Sequence, residues 1–251
     1  MAVIVSRVDR AECFTASPKF SFGSSPAVEF GKGSSSSSSH SQQQVIEAAK
    51  QVMANGGYFN PLDESLFADD FIFRGPVIGP LNKADYKEVL DYFSIYKAFP
   101  DMDPNCFGYT VDPEHPFRVW FLVRATGTYQ NPLGGPLGTL IRPKNQVYRG
   151  STETWSLVFD GHLKCRLMTA GYVSDRYEDY DNGTTTNGVG LSFGILETLG
   201  LSLPSGPGNF GLRFIQAING PLVALGLTPK AVSAPSEVPD WWSSEKRGAD
   251  P

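Results

Sequence analysis

From Ser41 onward the apolar residues follow a helical period first and a strand period later. Val45, Ile46, Ala49, Val52 and Met53 recur at three- and four-residue intervals, which predicts a helix capped by Ser41 and running to about Asn55. Gly56-Gly57 marks its end. A short helical piece is expected over residues 61–68, then a brief strand, Asp70-Phe-Ile-Phe-Arg74. Asn82 can cap a second long helix, with Tyr86, Val89, Leu90, Phe93 and Tyr96 on its buried stripe, that ends near Phe99-Pro100-Asp101.

The period then drops to two. Residues 118–128 read as one strand, with Val119, Phe121, Val123 and Ala125 on one face and Trp120, Leu122, Arg124 and Thr126 on the other. Glu153, Trp155, Leu157 and Phe159 share a face of the next strand, over 152–159. Asp160-Gly161 is a tight-turn signal leading into its hairpin partner over 163–173. Helices first and antiparallel strands later define an α+β domain rather than a parallel βαβ fold.

The flanks have a different character. Residues 1–44 contain twelve serines, including the run Ser34 to Ser39, and no sustained apolar period. Such a segment cannot bury enough surface to offset its ordering entropy. Its serines suit an organelle transit peptide and its acids (Asp9, Glu12, Glu29) do not, so a plastid or mitochondrial leader and a plain disordered tail both stand, with plastid or cytoplasm as the expected location. After a further helix expected over 191–201, residues 204–251 are rich in Pro and Gly and are expected to wrap the domain surface. The adjacent Trp241 and Trp242 should dock, either back onto the domain or onto a partner or membrane surface. The layout is a tail over 1–41, a domain over 42–203 and an extension over 204–251.

Composition narrows the function classes. The 251 residues are 41% hydrophobic, 12% aromatic and only 19% charged, which suits a substantial core. With 26 acids against 21 bases the net charge is −5, so there is no basic footprint for nucleic acid. No apolar run reaches the ~18–20 residues a bilayer requires. Cys13, Cys106 and Cys165 have no paired spacing and are expected as reduced thiols.

Three motifs match a pattern and lack its chemistry. Gly190-Leu-Ser192-Phe-Gly194 has the form of a serine-hydrolase elbow, yet His40, His115 and His162 all precede the serine, and a Gly-rich helix start is the better reading. Gly206-Pro-Gly208-Asn-Phe-Gly211 has no acid before Glu237 to hold a ribose and reads as a loop. The acidic run from Asp175 lacks the calcium-loop ligands at its first and twelfth positions, occupied by Tyr177 and Gly188. No metal site and no cofactor are expected.

Four short pieces together carry a family resemblance: Phe67-Ala-Asp-Asp-Phe71, Ala98-Phe-Pro-Asp101, the stretch from Arg124 to Gly135, and the hairpin joining Glu153-Thr-Trp155 to Gly161-His-Leu163. Over residues 42–201 the chain resembles the SnoaL-like branch of the NTF2-like superfamily. That resemblance implies a cone in which long helices pack on a curved antiparallel sheet, with a pocket in its mouth. It also implies a small apolar ligand and, in enzymatic members, a pocket carboxylate or histidine that moves a proton next to a carbonyl. Burial in an apolar cone raises a carboxylate's pKa toward neutrality.

By that resemblance Asp175 is the catalytic carboxylate, although Gly171 aligns with the position equally well. Tyr129 stands where the family has a histidine and, with Arg124, would polarise the carbonyl. Glu153, Trp155, Tyr172, Trp120 and Asp101 are the substrate-binding candidates. Arg124 and Glu153, as mid-strand charges among apolar neighbours, should pair with each other or with a ligand. Two readings remain open: a cofactor-independent isomerase, cyclase or lyase, and a non-catalytic module that binds an apolar ligand or forms a homodimer through its outer sheet face.

Overall fold

Ser41 opens the first helix through a reciprocal cap. Its Oγ accepts from the Gln44 N–H at 3.3 Å, while Gln44 Oε1 accepts from the Ser41 N–H at 2.8 Å. Helix α1 (Gln42–Asn55) buries Val45, Ala49, Val52 and Met53 and ends at Gly56. The computed structural model describes residues 40–174, 183–201, 222–226 and 228–245. The N-terminal tail, the calcium-like run, the GxGxxG loop and Asp175 therefore lie outside the described residues.

A one-turn 3-10 helix over Glu64–Leu66 stands where a helical piece was expected, capped by Asp63. Strand β1 (Phe67–Arg74) follows and starts three residues earlier than its apolar core suggests. Strand β2 (Leu81–Asn82) leads into helix α2 (Lys83–Phe93), whose cap is Asn82 Oδ1 accepting from the Asp85 N–H at 2.9 Å. The second helix is not continuous to Phe99. Ser94 turns left-handed at φ 46°, its N–H bonded back to Leu90 O, and a separate turn, α3 (Ile95–Ala98), brings Ala98 and Phe99 into the core.

Strands β3 (Cys106–Val111) and β4 (Arg118–Val123) come next. The strand expected over 118–128 breaks after Val123. The Arg124 N–H turns to Pro104 O, Asp103 and Thr126 exchange backbone bonds, and β5 (Thr126–Tyr129) pairs with β6 (Gln146–Arg149) in a separate two-stranded sheet. Between them lies α4 (Gly135–Leu140). Strands β7 (Glu153–Phe159) and β8 (Cys165–Val173) form the expected hairpin, and α5 (Leu191–Thr198) and α6 (Asp240–Glu245) follow.

The main sheet has the order β2-β1-β8-β7-β4-β3. Every neighbouring pair is antiparallel except β1 with β8, which is parallel. A parallel pair needs a long crossover, and here everything from α2 to β7 supplies it. The architecture is α+β with a mixed sheet. Register shifts interrupt β1–β8, β3–β4 and β7–β8, and such bulges bend strands and increase their twist.

Alternation puts Val119, Phe121 and Val123 of β4 beside Leu157, Trp155 and Glu153 of β7 on the inner face, with α1 against β4. Rings fill much of this face. Trp155 meets Tyr58 at 5.4 Å between centroids, and Tyr86 stacks on Phe73 at 5.1 Å. Each such buried aromatic contributes about 1.5–3 kcal/mol through apolar burial.

The C-terminal segment returns to the β1–β2 edge. Gly79 donates its N–H to Ala231 O and Ser233 donates its own to Pro80 O, both at 2.8 Å. Trp241 packs its ring under the Arg166 guanidinium at 4.4 Å and donates from Nε1 to Asp70 O at 3.2 Å. This tryptophan docks on its own domain. Among the described residues no helix is long and apolar enough to cross a membrane.

Candidate functional site

Two close backbone approaches build the site. At Gly171, φ is +83°, a left-handed conformation in the irregular stretch of β8 that faces β7. At Gly190 a Cβ would lie 2.5 Å from Gly171 O, so only glycine lets this segment sit against β8. Together they bring the start of α5 over the inner face of the sheet.

The result is a cleft of about 240 Å³. Tyr58, Phe73 and Trp155 form one side, and residues 75–78, 170–173 and 188–193 form the rest. Its lining carries no Asp, Glu, Lys, Arg or His. The volume lies below the ~300–1,000 Å³ of drug-sized sites, which suits a small ligand. A shallower depression of about 380 Å³ lies along α1, bordered by Gln43, Glu47, Gln51, Leu66 and Leu163. It has no comparable buried acid, and the chemistry points to the first cleft.

Glu153 sits directly behind the cleft wall and is 2% exposed. It opposes Val123 across the β4–β7 ladder, so its side chain points to the inner face among Val123, Trp155 and Phe121. Trp155 Nε1 donates to its Oε2 at 2.8 Å. The N–H of Leu191, first residue of α5, donates to its Oε1. The cap residue of α5 is Gly190, which has no side chain, so Glu153 supplies the missing cap from another element. Burial pushes the Glu153 carboxyl up to about 7, against the opposing pull of the donors Trp155, Leu191 and Gly171.

Two hydroxyls complete the site. Tyr58 is raised well above its ordinary range, first by burial and then by the Glu153 charge, while hydrogen bonding from the Ser192 side chain works the other way. Tyr58 and Ser192 both line the cleft. Sequence reasoning missed both in this role. Tyr58 falls between two predicted elements, and Ser192 carried a signal, the GxSxG pattern, that pointed to a different chemistry.

The other sequence candidates scatter. Trp155 and Tyr172 line the cleft, Trp155 fully buried and Tyr172 at 44% exposure on its rim. Tyr129 is fully buried away from it: its hydroxyl donates to Ile141 O at 2.8 Å and accepts from the Leu133 N–H at 3.1 Å, which bolts the loop after β5 in place. Arg124 donates from Nε to Thr152 Oγ1 at 3.0 Å and lies over the Phe107 ring. It follows Val123, so alternation turns it from the face that holds Glu153, and Glu153 takes Trp155 and Leu191 as its partners instead. Trp120 donates to Asp112 Oδ2 at 2.8 Å on the outer face, with Arg118 over its ring. Asp101 accepts from the Thr128 N–H at 2.8 Å and braces β5. Tyr129, Arg124, Trp120 and Asp101 are not among the residues that line the cleft.

The structure matches solved NTF2-like and SnoaL-like structures over about half of the chain. An NTF2-like protein from Anabaena variabilis is 17% identical with a TM-score of 0.39, the match covering 55% of this chain and 95% of that one. A phenazine biosynthesis-related protein from Pseudomonas aeruginosa is 14% identical with a TM-score of 0.37, covering 66% and 93%. A SnoaL-like polyketide cyclase from Agrobacterium tumefaciens is 16% identical with a TM-score of 0.34, covering 52% and 90%. No protein-family model matches the sequence, and no curated protein matches it.

Proposed function

We propose that the protein binds a small apolar molecule in the cleft between β8 and α5 and uses Glu153 to move a proton next to the ligand's carbonyl. The observation that carries this reading is the placement of Glu153. A carboxyl 2% exposed, bonded to two residues of the cleft wall and raised to about 7, is balanced between acid and base near neutrality. The reading keeps the carboxylate chemistry that the sequence resemblance implies and moves it from Asp175, outside the described residues, to Glu153. The reaction class is isomerase, cyclase or lyase.

The same bonds favour a second reading. Both Glu153 oxygens already hold wall groups, Trp155 Nε1 and the Leu191 N–H, as a structural clamp would. On this reading the protein is a non-catalytic ligand-binding module.

Deuterium exchange separates the two. The full chain is incubated in D₂O with 2-tetralone, a small ketone with acidic α-protons, and α-deuteration is followed by NMR. Catalytic Glu153 predicts exchange above background in wild type and its loss in Glu153→Gln. A variant that still binds 2-tetralone and exchanges it as fast as wild type removes Glu153 from the chemistry. Binding without any wild-type acceleration selects the second reading.

A further inference from the structure

We propose that the hydroxyls of Tyr58 and Ser192 form the polar end of the cleft, and that its ligand is a neutral, planar molecule with one oxygen held by this pair. The inference rests on the cleft being the ligand site, and it adds the ligand's charge and the residues that orient it.

The lining decides the charge. The side chains that border the cleft are uncharged, and most are apolar or aromatic. An ionised ligand would lose its hydration there and meet no counter-ion in the wall. An anion would also face the carboxylate of Glu153, which lies directly behind Trp155 and Leu191. The flat faces of Trp155, Tyr58 and Phe73 suit a ring system, and stacked or edge-on rings gain beyond simple area burial.

The hydroxyls decide the orientation. Tyr58 and Ser192 both line the cleft and come from different elements, one after α1 and the other in the first turn of α5. Tyr172, the third hydroxyl of the lining, stands on the solvent-exposed rim. Burial and the Glu153 charge keep Tyr58 protonated, so it is a standing donor. A carbonyl or hydroxyl oxygen inserted between Tyr58 and Ser192 would accept from both.

The test is binding alone, by calorimetry on the full chain, with four probes of one shape: 2-naphthol, naphthalene, 2-naphthoate and 2-naphthylmethylammonium. Wild type is expected to prefer 2-naphthol, with the two ions at least tenfold weaker. Tyr58→Phe and Ser192→Ala, each checked for native thermal unfolding, should weaken 2-naphthol about three- to tenfold, the range of one hydrogen bond, and leave naphthalene unchanged. Wild-type affinity for 2-naphthol in both variants overturns the hydroxyl assignment and leaves the cleft as a ligand site. An ion that binds as tightly as 2-naphthol overturns the neutral-ligand assignment. Failure of all four probes to bind wild type overturns the ligand site itself, and the inference with it.

Discussion

The Glu153 carboxylate on β7 accepts from the backbone N–H of Leu191, the first residue of α5, 38 positions further along the chain. One side chain behind the cleft wall thus holds the Trp155 indole and caps the helix that covers the cleft. The cleft wall and the cap of α5 are thereby tied to a single carboxyl.

The first consequence is a pH dependence. The folded-state pKa of Glu153 is raised from 4.5 to about 7 by burial, so the folded protein binds the proton more tightly than the unfolded chain. The stability this contributes is present below about pH 4.5 and is lost as pH rises through about 7. The loss is on the order of 3 kcal/mol. Tyr58 and Tyr148, the other titratable groups coupled to this charge, are held protonated far above that window. Urea midpoints measured from pH 4 to 9 should fall along this curve in wild type. Glu153→Gln, which mimics the protonated acid, should lack that part of the slope.

Trp155 sets where that transition falls. Its Nε1–H stabilises the ionised carboxylate at 2.8 Å. Trp155→Phe keeps an aromatic ring but removes the donor, so the Glu153 transition should move to higher pH. The variant also leaves a void and should cost about 1–3 kcal/mol overall. An unmoved midpoint in the same urea series would show that the indole does not tune the acid.

Gly190 holds α5 against β8. A methyl group there would meet Gly171 O at 2.5 Å, and backbone on both sides cannot yield cheaply. Gly190→Ala should displace the start of α5, cost on the order of 1–3 kcal/mol and break the Glu153–Leu191 bond. Amide exchange at residues 190–195 should rise sharply while that of β4 and β7 stays protected. Uniform loss of protection would instead mean that the whole domain depends on this contact.

The C-terminal return is latched by a buried acid. Ser233 Oγ donates to Asp85 Oδ2 at 2.5 Å, and Lys230 Nζ lies 3.2 Å from Asp85 Oδ1. Ser233→Ala should weaken this latch by about 1–3 kcal/mol, because Asp85 is 7% exposed and loses a partner where water is scarce. Trp241→Ala removes the second anchor, on Arg166 and Asp70. Both substitutions should speed proteolysis within residues 228–245 and leave the main sheet intact.

The local rules were legible in the sequence. The Ser41 cap, the Asn82 cap and the shared face of Glu153, Trp155, Leu157 and Phe159 follow from spacing, because a helix repeats near 3.6 residues and a strand every two. The α+β class followed from the order of those periods. The break at Ser94 and the strand change after Val123 were not legible, since tertiary bonds override local propensity there.

Within the site, period-two alternation already put Glu153 and Trp155 side by side, and a buried acid beside a tryptophan was visible as a candidate. What spacing could not show is which distant groups share that space. Tyr58 and Ser192 belong to no common pattern, and they line one cleft because Gly171 and Gly190 allow α5 to close over the sheet. Tyr129 bonds Ile141 and Leu133 and Arg124 bonds Thr152, and neither lines this cleft. Sequence determined the elements and their buried faces, because those depend on neighbours a few residues away. The identity of the pocket was decided by packing between residues far apart along the chain, which only the tertiary structure brings into contact.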